Sequence, residues 1–135
     1  MSTRANIEVY DGARRGVMLY HGFDGHPWSM GPELEHKLDQ ARAELDEAGH
    51  PDWWNSQTVG ALIVKLSANE DVWLKNVPGF QPCLSQDADA KYLWRVYLGP
   101  ENGEYEIQCF RIGWDRKDGV TKGLARVDWR RAVES

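Results

Sequence analysis

The sequence predicts an α+β domain in which an antiparallel sheet of about four to five strands, built from two hairpins, packs on two central helices. Three observations carry this expectation. Apolar and polar residues alternate with the two-residue period of strands near both ends of the chain, at 4–10 and again at 92–98 and 105–110. Between them, Leu34, Leu38, Ala41, Leu45 and Ala48 recur at helical spacing and form one apolar stripe. The length of 135 residues, with 41% hydrophobic and 27% charged side chains, suits a single domain over residues 1–135 with one core. Seven Trp, five Tyr and three Phe supply large buried areas that offset a modest aliphatic content.

Arg4 to Tyr10 sets Ala5, Ile7 and Val9 on one face and Asn6, Glu8 and Tyr10 on the other, the pattern of a half-buried strand. Asp11-Gly12 signals a turn, and Gly16 to His21 returns as the second strand of a hairpin. His21 to Pro27 holds two Gly and a Pro and reads as a loop. Gly31-Pro32 opens the first helix, because Pro at the first helical position loses no hydrogen bond, and Gly49 with Pro51 ends it. Its outer face carries Glu35, Asp39, Arg42, Asp46 and Glu47. A second helix, capped by Asp52 or Asn55, runs through Val59, Leu62, Ile63 and Leu66 to the region of Asn69, with Trp53 and Trp54 placed to staple the two helices together.

Residues 77–90 read as loop, broken by Pro78-Gly79 and Pro82. Residues 91–98 and 104–112 form the longest hairpin across the turn signal Gly99 to Gly103. Asp115 to Gly123 is a polar loop, and Leu124 to Arg131 reads as a short last strand in preference to a terminal helix.

The net charge of −5 argues against a general nucleic-acid binder held by phosphate contacts. Basic residues concentrate at the C-terminus, where Arg111, Arg116, Lys117, Lys122, Arg126, Arg130 and Arg131 form either a patch for an acidic partner or a surface neutralised by the acidic helix upstream; the second is preferred. Cys83 and Cys109 lack CxxC spacing and fit no zinc or redox motif. With no apolar core segment at the N-terminus to mark a secretory signal, reduced thiols and a cytoplasmic location are expected. The longest apolar run, Val59 to Leu66, is too short to cross a bilayer, so no membrane partner is expected.

One constellation has the residue types of a reactive site. His21, Asp24 and His26 place three potential ligands or proton carriers in one glycine-bounded loop, the partial makings of a divalent-metal site for a small hydrolase. The commoner role of such residues is a turn at Asp24-Gly25 with the imidazoles packed beside Trp28, and that reading is preferred. GxxxxGK[ST], GxGxxG and GxSxG patterns are absent, and no cofactor is expected. Trp94, Tyr97, Phe110 and Trp114 are candidates for a surface that stacks bases or sugars, which motivates a small-nucleotide-binding alternative, although core packing is the preferred role for most of these rings.

Thr3-Arg-Ala-Asn-Ile7 and Leu19-Tyr-His-Gly-Phe-Asp-Gly-His-Pro27 resemble the opening of small uncharacterised proteins of phages, prophages and their bacterial hosts, in which a first strand leads to a Tyr-His and an Asp-Gly-x-Pro loop and then to a helix. Those relatives carry an aromatic after the glycine where this chain has His26. The resemblance implies a mobile-element accessory protein and no particular chemistry. Together these observations lead to the expectation of a non-enzymatic protein that binds a host protein as an inhibitor or modulator, with a homodimer as a further possibility. Asp39, Asp46, Glu47, Trp28 and Trp114 are the expected contact residues.

Overall fold

The computed structural model describes residues 3–22, 25–68, 79–86, 90–114 and 122–134. Alternating side chains set the first strand, β1 (Ala5–Asp11), and a turn at Gly12, whose φ of 58° suits glycine, returns the chain as β2 (Arg14–His21). The register slips by one residue between Val9 and Tyr10, leaving Gly16 as the extra residue of a bulge. A side chain cannot be accommodated there, since a Cβ on Gly16 would lie 1.7 Å from Ser56 Oγ.

The first helix, α1 (Pro27–Glu47), starts four residues before the expected Gly31, inside the segment read as a loop. Pro27 takes the early-helix role assigned to Pro32, which falls inside the helix and forgoes only the bond to the Trp28 carbonyl. Gly31 permits a close crossing, because a Cβ on it would stand 2.1 Å from the Trp129 ring. After a short 3-10 turn at Pro51–Trp53 comes α2 (Ser56–Ser67), capped as expected by Asn55, whose Oδ1 accepts from Thr58 N at 2.9 Å. Asp11 reinforces this end by accepting from Ser56 N at 2.7 Å, which ties α2 to the tip of β1. Trp54 has a definite place at the start of α2. It is buried in the main core, and its indole N–H donates to Glu104 O at 2.9 Å.

Residues 77–78 and 87–89 lie outside the described set, but the described part of the segment read as loop contains a strand, β3 (Phe80–Pro82). Fully buried Phe80 anchors it and Pro82 is tolerated because β3 is an edge. The second hairpin follows as β4 (Tyr92–Leu98) and β5 (Tyr105–Trp114), then β6 (Lys122–Val127) and α3 (Trp129–Glu134). The C-terminal segment is therefore a strand followed by a helix. Asp128 Oδ1 accepts from Arg131 N at 3.3 Å, and buried Trp129 draws the chain over α1.

The architecture is α+β, and the described residues form a six-stranded sheet in the order β3-β2-β1-β4-β5-β6. It is not wholly antiparallel, as expected from two hairpins. The chain crosses through α1 and α2 between hairpins, so β4 arrives beside β1 in the same direction and the central pair is parallel. One face carries Ala5, Ile7, Val9, Leu19, Trp94, Val96 and Cys109 and packs against Met30, Leu34, Leu38, Val59 and Ile63 of the helices. A buried aliphatic side chain of this kind contributes about 1.5–3 kcal/mol.

At the Asp11 end the sheet narrows to four of the described strands, because β3 pairs with β2 only at Leu19–His21 and β6 pairs with β5 only from Cys109 onward. The edge left beside Ile107 is closed by Trp129, whose indole N–H donates to Ile107 O at 3.1 Å. No helix among the described residues is long and apolar enough to cross a membrane.

Candidate functional site

Because side chains alternate along every strand, the sheet presents a second face opposite the helices. Among the described residues no helix packs on it; its apolar part is a small cluster of Ala90, Leu93, Ile112 and Phe110. The strand register lays the rest out in rows. Met18, Glu8, Arg95 and Gln108 form one row across β2, β1, β4 and β5, and Arg15, Tyr10, Tyr97 and Glu106 form the next.

Glu8 is the centre of this face. It is only 6% exposed although it is a carboxylate on the side away from the core. Burial is sustained by three donors: Arg15 Nη1 at 3.0 Å, Arg95 Nε at 3.0 Å and Tyr10 Oη at 3.3 Å. Tyr10 stacks on Tyr97, ring centroids 4.8 Å apart, and the Arg95 guanidinium lies 5.0 Å from the Phe110 centroid. Burial and the adjacent Glu8 charge raise the Tyr10 hydroxyl above its ordinary value. Burial acts to lower Arg95, but its hydrogen bond to Glu8, with the neighbouring Tyr10 and Tyr97 hydroxyls and the Glu8 charge, outweighs that and raises it, so the guanidinium stays charged. Both oxygens of the Glu8 carboxylate are taken up by these donors. The arrangement holds charged and aromatic groups in place; it does not free a base.

The residues expected to contact a partner have other surroundings. Asp39 and Asp46 are exposed on α1, yet Tyr105 donates to Asp39 at 3.0 Å and Asn102 Nδ2 to Asp46 at 2.7 Å, with Arg42 3.9 Å from Asp46. Glu47 is exposed. Nearby, Arg130 pairs with Glu35 at 3.1 Å and Lys65 with Glu44 at 3.7 Å, so much of the acidic helix is tied to the molecule's own groups. Tyr105 is pushed up to about 12 by burial, with help from its bond to Asp39. The basic tail does not form one patch: Arg111 and Arg126 fall on opposite faces of the sheet, and Arg116 and Lys117 lie outside the described residues.

Trp28 is 57% exposed and stacked on His26 at 4.3 Å. The less obvious Trp53, 47% exposed, stacks on His50 at 3.7 Å. Trp114 ends β5, and its side chain is outside the description.

His21 and His26 have separate environments. His21 is buried against Phe80, ring centroids 4.6 Å apart. His26 precedes α1, with Nε2 2.6 Å from Thr3 Oγ1 and its Nδ1 buried with no hydrogen-bond partner among the described residues. Asp24 lies outside the described residues, and among those described no group of three or more His, Cys, Asp or Glu is placed to hold a metal ion.

The rings expected to form one stacking surface divide between faces, with Trp94 fully buried in the core and Tyr97 and Phe110 opposite. The cysteines divide likewise. Cys109 is in the core, its thiol pushed up to about 12 by burial, while half-buried Cys83 accepts from Asn6 Nδ2 at 3.5 Å; both are free thiols.

Sequence reasoning passed over Glu8, Tyr10, Arg15 and Arg95, although a signal existed. Asn6-Glu8-Tyr10 and Leu93-Arg95-Tyr97 are alternate positions of two strands that match row by row, with opposite charges in the middle. The chain matches no family model, no curated protein and no solved structure.

Proposed function

We propose that this chain is a non-enzymatic binding protein that docks a protein partner on the helix-free face of its sheet. The observation that carries the reading is the cluster of Glu8, Arg15, Arg95, Tyr10, Tyr97 and Phe110, in which arginine and tyrosine side chains are already fixed by one another. Tyr and Arg are enriched among residues that dominate binding energy, and ordering a flexible side chain at an interface costs about 0.5–1.5 kcal/mol that a fixed one largely avoids. The bound state of the Glu8 carboxylate favours docking over proton-transfer chemistry. The N-terminal resemblance makes a host factor, inhibited or modulated by the contact, the partner class to seek first.

Affinity capture from a bacterial lysate, followed by hydrogen-exchange mapping of the purified complex, tests the reading. Wild-type protein is expected to retain one stoichiometric partner and to gain protection in β1, β4 and β5. Tyr97→Ala is expected to lose that partner, while Asp39→Lys/Asp46→Lys/Glu47→Lys keeps it. The reverse pattern, with loss in the triple variant and retention in Tyr97→Ala, moves the site to α1 and overturns the proposal.

A further inference from the structure

The geometry points to Arg95 as a prearranged receptor for a carboxylate, so that the segment docking on this face is an acidic peptide; this inference rests on the docking reading above. Arg95 is held on two sides. Its Nε donates to Glu8 at 3.0 Å, and its plane lies over the Phe110 ring. Among the described residues its two Nη groups make no hydrogen bond, and its side chain remains 29% exposed. A guanidinium anchored through Nε presents its outer pair of N–H donors as a fork that matches the two oxygens of a carboxylate.

Glu8 does not cancel this receptor. Its buried carboxylate is shared between Arg95 and Arg15, so the two cations together exceed the charge they enclose. Arg126, exposed and opposite Phe110, adds a third guanidinium to the same face, where the other described strand carboxylate, Glu106, accepts from Gln108 Nε2 at 3.4 Å. A chain of net charge −5 thus places three guanidinium groups beside Tyr10, Tyr97 and Phe110. Oriented guanidinium with adjacent rings fits an extended segment carrying Asp or Glu interspersed with apolar residues.

The test titrates the intact protein with a fluorescein-labelled glutamate-rich peptide, a lysine-rich peptide and an oligothymidylate. It reads fluorescence anisotropy and the arginine Nε–Hε signals in ¹⁵N-resolved spectra. The glutamate-rich peptide is expected to bind at low salt, to shift the Arg95 signal, and to bind about tenfold more weakly to Arg95→Lys, which keeps the charge toward Glu8 but lacks the fork. The lysine-rich peptide is expected not to bind. The Arg95 signal in the wild-type protein reports on the contact without any variant.

No binding of the acidic peptide, an unmoved Arg95 signal, or full affinity in Arg95→Lys overturns the inference. Tighter, Arg95-dependent binding of the oligothymidylate overturns it in favour of a phosphate-bearing ligand. If Tyr97→Ala still abolishes partner capture while Arg95→Lys does not, docking on this face stands and the carboxylate receptor falls; if neither variant affects capture, both fall.

Discussion

On one side of β1, Ala5, Ile7 and Val9 are sealed by aliphatic and aromatic side chains of the helices; on the other, Asn6 and Glu8 are just as sheltered, but by hydrogen bonds and guanidinium groups. Equal burial has different physical content on the two faces. The core face is held by area removed from water and tolerates no void. The opposite face holds a charge that is stable only while its partners remain, so its integrity depends on geometry more than on area. Burial alone is thus a poor guide to whether a position is structural, and the way a side chain is buried separates scaffold from candidate site.

Substitutions, a pH series and thiol labelling press on that contrast. The largest effect is expected from Ile7→Ala, which leaves a void among fully buried residues and is expected to cost about 2–5 kcal/mol by urea denaturation. Glu8→Ala is expected to cost less, about 1–3 kcal/mol, because Arg15 is half exposed and recovers water. The double variant Glu8→Leu/Arg95→Leu, which removes both charges, is expected to lose less than Glu8→Ala. A Glu8→Ala loss equal to that of Ile7→Ala would show that the two faces contribute alike to stability and would remove the distinction drawn here.

Next comes Gly31→Ala, where the new methyl group meets the Trp129 ring; an overpacking cost of about 1–3 kcal/mol is expected, with altered near-ultraviolet circular dichroism from the displaced indole. Unchanged stability would mean that α3 shifts without penalty.

A smaller effect follows from Tyr105. Its hydroxyl is raised from 10.0 to about 12, so the folded state binds this proton more tightly than the unfolded chain does. Its contribution is fully present below pH 10 and is lost as pH rises toward 12. Tyr105→Phe is expected to flatten the decline in unfolding free energy over that interval, read by denaturant titrations at stepped pH. A variant with the wild-type slope would assign the alkaline loss elsewhere.

The least perturbing measurement is thiol labelling. Cys83 is expected to react in the native protein and Cys109 only after unfolding, with rates separated by about a hundredfold or more, since Cys109 is both enclosed and held protonated. Similar rates would indicate that the core face opens readily.

Much of the fold was legible because periodicity records which side of a strand or helix faces the core. Ile7, Trp94, Leu34 and Ile63 were readable on that basis, and side-chain chemistry narrowed the α2 cap to Asp52 or Asn55, of which Asn55 serves. What periodicity omits is which strand lies beside which. The parallel β1–β4 pair joins segments far apart in the chain, and the pattern within each is the same whether the neighbour runs up or down. Phe80 and Pro82 were hidden for another reason: three residues are too few to display a period, and their strand exists because β2 offers an edge. At α1, two prolines competed for the first turn, and propensity alone could not rank Pro27 against Pro32.

The candidate site was less legible still. Polar residues alternating with apolar ones read as solvated, and Glu8 departs from that reading because Arg95, 87 positions away, reaches it through the tertiary fold. The expected acidic residues show the converse. Asp39 and Asp46 are on the outside as read, but Tyr105 and Asn102 come from a distant hairpin that helix periodicity does not record.

The parallel seam at the middle of the sheet also bears on how the chain reaches this shape. Each hairpin and each helix forms from neighbours in sequence and can assemble quickly, but the seam requires loop closure across most of the polypeptide. Folding is therefore expected to be slow for so small a chain, in the millisecond-to-second range of proteins dominated by distant contacts.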